Sequence, residues 1–288
     1  MRLFLQYLAS GLATGCTFAL VATGFVAIYR VTRVVNFAQG VFAVLAGMLA
    51  YSLLGWGVPH IAAEVVAVLA AIVAGAAIGF VALGRRGTTP LASLIITLGL
   101  GIGSYAILIL VWGDQPISFD QLKGNLDVGG VGMQAQYLLV VVLTAAAFGA
   151  LGLFFDHTYL GRGLSACASN PRAARLVGID VRRMGLVAFG VGGGLGGLAG
   201  VLLTPLQPVA FNSDVGLAIN GFAAAIFGGL VRPGLALVGA LVLGVVEALI
   251  AGYSQASLQS GVALVVMLGI MVWRASRQSV VTDEDTAV

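Results

Sequence analysis

The chain has 288 residues, of which 60% are hydrophobic and only 9% carry a charge, against about 25% charged residues in a soluble domain. With a mean hydropathy of +1.07 it cannot present an ordinary surface to water, and it is read as an integral membrane protein. The net charge of +3 does not point to nucleic acid, because the arginines stand at the ends of apolar runs, where orientation signals belong.

The first apolar run follows Arg2 directly, continues to Ile28 and is met at once by Arg30 and Arg33, so it is read as a retained first helix and not as a cleaved leader. A window of about 19 residues then gives candidate spans at 5–29, 37–54, 61–83, 91–112, 137–155, 184–203, 215–230, 235–253 and 258–273. The expected fold is an all-α bundle of about nine transmembrane spans, eight to ten being allowed by such a window. Residues 1–278 then form one membrane domain, and 279–288, with Asp283, Glu284 and Asp285, form a polar disordered tail. The run 215–230 is short, so a broken or re-entrant helix is an option there. The 42 glycines suit membrane helices, where small residues let backbones approach closely. Cys16 and Cys167 offer no metal-ligand spacing and no disulfide framework.

Threading these spans back and forth collects Arg30, Arg33, Arg85, Arg86, Arg162, Arg172, Arg175, Arg182, Arg183, Arg232, Arg274 and Arg277 on one side, against Arg2 and Lys123 on the other. Positive charge in short loops marks the cytoplasm, which predicts an external amino terminus and a cytoplasmic carboxyl terminus. The external loop 113–136, with Asp114, Asp120 and Asp127 against Lys123, is read as a solvated turn.

The longest cytoplasmic stretch, 156–183, reads DHTYLGRGLSACASNPRAARLVGIDVRR. Asn170-Pro171 looks like an N-cap followed by proline at the first helical position, and Gly178 like a stop. The spacing predicts a short helix from residue 171 to about 177, preceded by a helical stretch over 163–168. Ala173, Leu176 and Val177 share one face and Arg172 and Arg175 another. So short a helix needs a surface to pack against. Composition leaves two surfaces open, the inner leaflet with arginines on lipid phosphates and a docking partner.

LGRGLSACASNPRAARLVGID closely resembles the coupling loop of permease subunits in the branched-chain amino acid uptake family of ABC importers. GLATGCTFALVATGFVAIYRVTRVVNFAQG, SLIITLGLG, GGLGGLAGVLLTPLQPV and GFAAAIFGGL are also similar to blocks of that family, in the same order. The resemblance runs from about residue 5 to 273 and implies a multi-pass protein of a prokaryotic plasma membrane. It also implies a second homologous permease, two cytoplasmic ATPases that bind ATP and Mg, and an external solute-binding protein. No cofactor is expected in this chain, and it is not expected to be an enzyme. Independently, the sole lysine is Lys123 in LKGN, so there is no Walker A loop and the chain is not itself the ATPase. His60 and His157 lie in different layers and supply neither a zinc site nor a catalytic triad.

The family motif assigns the ATPase-coupling role to Gly161, Arg162, Ala166, Ala168, Asn170, Ala173, Ala174, Arg175 and Gly178. Along the substrate path the candidates are Asn36, Gln39, Thr97 and Glu247. Asn36 and Gln39, placed at the cytoplasmic entry to the second span, are read first as structural hydrogen-bonding groups, and so are Thr97 and Ser104. Glu247 is the intramembrane carboxylate that must face a partner, a cavity or the bundle interior. Glu64 is the weaker candidate, near the outer end of its span, and Pro205 and Pro208 around Gln207 suggest a turn near the pore mouth. The resemblance implies leucine, isoleucine and valine as cargo, and the same lining would suit urea or short amides. A different class, an ion-coupled secondary transporter or channel, would rest on Glu247 as its coupling group.

Overall fold

The structure, a computed structural model, describes residues 2–84, 89–120, 124–128, 131–253 and the isolated positions 261, 265, 269 and 272. The predicted span 258–273 and the tail 279–288 therefore lie outside the described residues, apart from those isolated positions. In chain order the helices are α1 (Arg2–Thr32), α2 (Gln39–Gly55), α3 (His60–Ala82), α4 (Pro90–Trp112), α5 (Ala135–His157), α6 (Tyr159–Ser169), α7 (Pro171–Leu176), α8 (Val181–Leu203), α9 (Ser213–Phe227) and α10 (Pro233–Tyr253). Six of them, α1, α3, α4, α5, α8 and α10, are long and apolar enough to cross a membrane, whereas α2 and α9 are shorter.

The loop between α4 and α5 departs from the all-helical expectation. Asn125–Val128 pairs antiparallel with Val131–Gln134 as a small hairpin of strands β1 and β2. Ile117 also exchanges two backbone hydrogen bonds with Val209, of 2.9 and 2.8 Å, which ties this loop to the one after α8. The alternation in NLDV and VGMQ, on either side of a glycine pair, is a hairpin signal, but four residues a strand are too few to register in a window of about 19.

Two interlocked triplets form the core. α1 runs antiparallel to α10, with Gly11 against Val245 and Ala248 and Gly15 against Ala240 and Leu241. In the same way α8 runs antiparallel to α3, with Gly193 against Ala71 and Gly197 against Val68 and Ala71. α2 lies along α8 in the same direction, Ala43 meeting Gly200 and Gly47 meeting Thr204. α9 lies along α1 likewise, Gly221 on Val21 and Phe222 against Phe25. Since α1 and α8 are themselves antiparallel, Gly24 packing on Gly192 and Thr32 on Gly185, the triplets α1–α3 and α8–α10 have opposite sense. This is the arrangement of an inverted-topology repeat.

Each triplet contains a break after its first helix, at residues 33–38 and 204–212. At about 1.5 Å per residue the helices that follow reach only about 26 and 22 Å, short of the roughly 30 Å hydrocarbon thickness. α4 and α5 flank the triplets and stay exposed along most of their length, as lipid-facing or partner-facing helices do.

Candidate functional site

The break before α2 shows why NFAQG has its composition. Gln39 lies beside Gly192, halfway along α8, and donates from Nε2 to the Gly192 carbonyl at 2.8 Å. The second helix thus begins at the depth of the middle of α8, not at the cytoplasmic entry expected from hydropathy. Backbone at that depth must find partners within the protein. Asn36 Oδ1 accepts from the Ala38 N–H at 3.2 Å, the Asn36 carbonyl accepts from the Gln39 N–H at 3.1 Å, and Thr97 Oγ1 accepts from the Phe37 N–H at 3.3 Å. Thr97 in turn donates to the Leu94 carbonyl at 2.9 Å. Asn36, Gln39 and Thr97 are fully buried, and the structure brings these three path candidates together as the clamp of one helix break. Ser104 donates to Gly101 within α4.

The second break is held differently. The Ala210 N–H donates to Ser213 Oγ at 2.9 Å, and Tyr105 donates from its hydroxyl to Asp214 Oδ2 at 3.2 Å. Gly40, at the start of α2, packs directly on the backbone of Asp214, at the start of α9. The two broken helices therefore meet amino terminus to amino terminus, where partial positive charge gathers, with the buried Asp214 carboxylate beside them. Glu247 is also buried but stands apart, on α10. Pro205 is buried in the second break, while Gln207 and Pro208 are exposed.

The segment 156–183 is a chain of capped helices. Thr158 Oγ1 accepts from the Gly161 N–H and starts α6. Asn170 Oδ1 accepts from the Arg172 and Ala173 N–H groups at 3.0 and 3.1 Å and starts α7. Asp180 Oδ1 accepts from the Arg182 and Arg183 N–H groups and starts α8. Gly178, at φ +86°, closes α7 in the left-handed conformation, with the Ile179 N–H bonded back to the Ala174 carbonyl at 3.0 Å. Leu164, Cys167 and Ala174 pack beneath this turn against Val31 and Ala188. Arg33 Nη2 reaches the Ala168 carbonyl at 3.4 Å. Burial pushes the Cys167 thiol above its ordinary range, and the nearby Arg175 pulls it back only in part.

Residues 7–271 match the family described as "Branched-chain amino acid transport system / permease component". The chain belongs to this family. Its relatives include the high-affinity branched-chain amino acid transport permease LivH of Escherichia coli, 27% identical over 93% of both chains. The corresponding permease BraD of Pseudomonas aeruginosa is 30% identical over 85% of both. A ribose import permease, RbsC of Escherichia coli, is 28% identical over 78% of this chain and 72% of its own. Among solved structures, PsaBC from Streptococcus pneumoniae in complex with a Fab shares the fold, with a TM-score of 0.52, 14% identity and coverage of 92% of this chain and 90% of that one. The protein is thus a multi-pass membrane permease.

Within this permease the structure divides the coupling residues that the motif assigns. Gly161 and Ala174 are buried, Gly161 because α6 crosses the backbone of Phe154 and Phe155 on α5. Ala166 and Ala168 are half-buried, and Arg162, Asn170, Ala173, Arg175 and Gly178 are exposed. Leu176 and Val177, which the motif does not assign, project into solvent at 89% and 76% exposure. The sequence signal for them is the apolar face that they share with Ala173 on an otherwise arginine-bearing helix, a face that the structure leaves exposed.

Proposed function

We propose that this chain is the membrane subunit of an ATP-driven importer that moves leucine, isoleucine and valine inward across a prokaryotic plasma membrane. It pairs with a second homologous permease, receives cargo from an external solute-binding protein and docks two cytoplasmic ATPases, which bind the ATP and Mg. Nine spans serve this arrangement: the six long helices, the broken helices α2 and α9, and the segment 258–273. The amino terminus is then external, and the arginine-rich face, with 156–183, is cytoplasmic.

One observation supports the coupling role above the others: the exposed Leu176–Val177 tip of α7, on a base whose caps and apolar underside leave it little freedom. A short helix alone would be marginal, but here it is a packed lever. A nucleotide-driven shift of a partner seated on that tip reaches Val31 on α1 and Ala188 on α8 through Leu164, Cys167 and Ala174. Such rigid transmission needs no chemistry in this chain. Asn36, Gln39 and Thr97 serve the path by holding the first helix break in register, and Glu247 serves it from α10.

The test is uptake into proteoliposomes holding the permeases and ATPases, with the binding protein supplied outside. Leucine should accumulate only with internal ATP, and collapse of the proton gradient should leave it unchanged. Accumulation that follows the proton gradient and ignores ATP would overturn the reading, while urea uptake without leucine uptake would replace the cargo.

A further inference from the structure

A cleft of about 550 Å³ opens between the first turn of α6 and the first turn of α8. Tyr159, Arg162 and Gly163 form one wall, and Asp180, Arg183 and Met184 the other. Leu176 and Val177 are not among its lining residues, so it is a different surface from the tip of α7. Gly163 keeps the walls close, since an ideal Cβ there would lie 3.0 Å from Met184 Sδ.

The depth of the cleft follows from the helices that frame it. α5 and α8 each have 23 residues, about 34 Å at 1.5 Å per residue, slightly more than the roughly 30 Å hydrocarbon layer. α5 ends at His157 and α8 begins at Val181, which sets the cleft just beyond the hydrocarbon, among lipid headgroups. On its membrane side Phe154 and Phe155, before the end of α5, pack with Met184 and Val187, after the start of α8. Aromatic and arginine side chains mark the same level. Tyr159 is 90% exposed with the Arg162 guanidinium 5.3 Å from its ring centre, and Arg182 stands 5.5 Å over Phe80, which is exposed on α3. Exposed rings that carry a cation fit a layer that is apolar on one side and wet on the other.

Charge selects the occupant. Arg162 and Arg183 line the cleft against a single carboxylate, Asp180, among the described lining residues. That carboxylate is already engaged: Oδ1 accepts from the Arg182 and Arg183 N–H groups, and Oδ2 pairs with Arg183 Nε at 3.3 Å. The terminal nitrogens of Arg183 and the guanidinium of Arg162 remain to meet an anion, and their forked geometry suits phosphate. We propose that the cleft holds the headgroup of an anionic phospholipid, its phosphate between Arg162 and Arg183 and its acyl chains against Phe155 and Met184. Basic pockets between membrane helices on the cytoplasmic side take such headgroups, and the leaflet is the inner one in the orientation proposed above. Arg162, which the family motif gives to ATPase coupling, then braces α6 against the bilayer at the base of the coupling segment, and the tip of α7 is left to the ATPase.

The experiment takes the assembled transporter, permeases with ATPases, from nanodiscs of mixed phosphatidylglycerol and phosphatidylcholine, and counts the lipids retained on this subunit by native mass spectrometry. The wild type should keep phosphatidylglycerol in preference to phosphatidylcholine. Arg162→Gln and Arg183→Gln should each lower the retained phosphatidylglycerol roughly fivefold, the scale of one arginine at an anionic lipid surface, with phosphatidylcholine unchanged. Asp180→Asn keeps a capping side chain but releases Arg183, so it should retain more phosphatidylglycerol, the opposite effect. A loss in Asp180→Asn as large as in the arginine variants would mean damage to the fold and would overturn the assignment. Equal retention of the two lipids by the wild type would also overturn it. Displacement of phosphatidylglycerol by inorganic phosphate would give the cleft to a soluble anion instead. If the arginine variants shed the ATPases yet keep their phosphatidylglycerol, the cleft belongs to the ATPase and the proposal falls. Where a variant fails to assemble, the lipid ranking of the wild type and its weakening by salt decide alone. Loss of that ranking would remove the lipid site and leave the proposed cargo and orientation standing.

Discussion

At the residue scale, glycines set the distances on which the helix seams depend. An ideal Cβ at Gly200 would lie 2.6 Å from Ala43 Cα, in backbone that cannot rotate aside. Gly200→Val should therefore part α2 from α8 and destabilise the permease by about 1–3 kcal/mol, the usual cost of overpacking. The measurement is the thermal unfolding midpoint in detergent. Gly99→Val, where a side chain meets nothing within 4 Å, is the control and should leave that midpoint nearly unchanged. Cys167 makes a second prediction at this scale. Its burial and raised thiol pKa keep the reactive thiolate scarce at neutral pH. Cys167 should resist maleimide in the folded protein and react fully once the protein is denatured, as followed by mass. Rapid modification in the native state would mean that 156–183 lifts off its base.

At the element scale, the coupling segment was legible in outline because its signals are local. Asn170, Pro171 and Gly178 marked the ends of α7 from the sequence, and all three stand where capping chemistry requires. The preceding helix is longer than expected, starting at Tyr159, because Thr158 caps it. The helix breaks were less legible. Asn36 and Gln39 have the same residue types whether they stand at a membrane surface or halfway along α8, and only the contact to Gly192 separates the two. Ala173 and Ala174 are likewise indistinguishable by type, yet one is exposed and the other buried. Their substitutions should consequently part ways. Ala173→Glu should leave the fold intact and weaken co-purification of the ATPases. Ala174→Glu should also lower the unfolding midpoint, because it buries a charge without a designed partner. Asn170→Ala should cost about 1 kcal/mol through the lost cap, seen as faster proteolysis within 156–183. Equal unfolding midpoints for the two alanine variants would show that the packing under α7 is dispensable.

At the scale of the whole molecule, membrane class and the main spans followed from composition, whereas the inverted repeat could not be read from it. The triplets α1–α3 and α8–α10 are related by packing direction, and hydropathy carries no direction. Packing direction also makes the topology testable as a set of linked positions. α2 runs parallel to α8, so Trp56, just past the end of α2 and 79% exposed, lies on the face opposite Leu176. With 156–183 in the cytoplasm, a Trp56→Cys protein in intact cells should react with a membrane-impermeant maleimide, and a Leu176→Cys protein only after the membrane is opened. Both native cysteines are buried and give a low background. The reverse pattern would leave the fold standing and invert the proposed orientation, moving the arginines outside against the positive-inside bias. Labelling of both positions from one side would be a different result, since α2 and α8 could not then run parallel through the same bilayer.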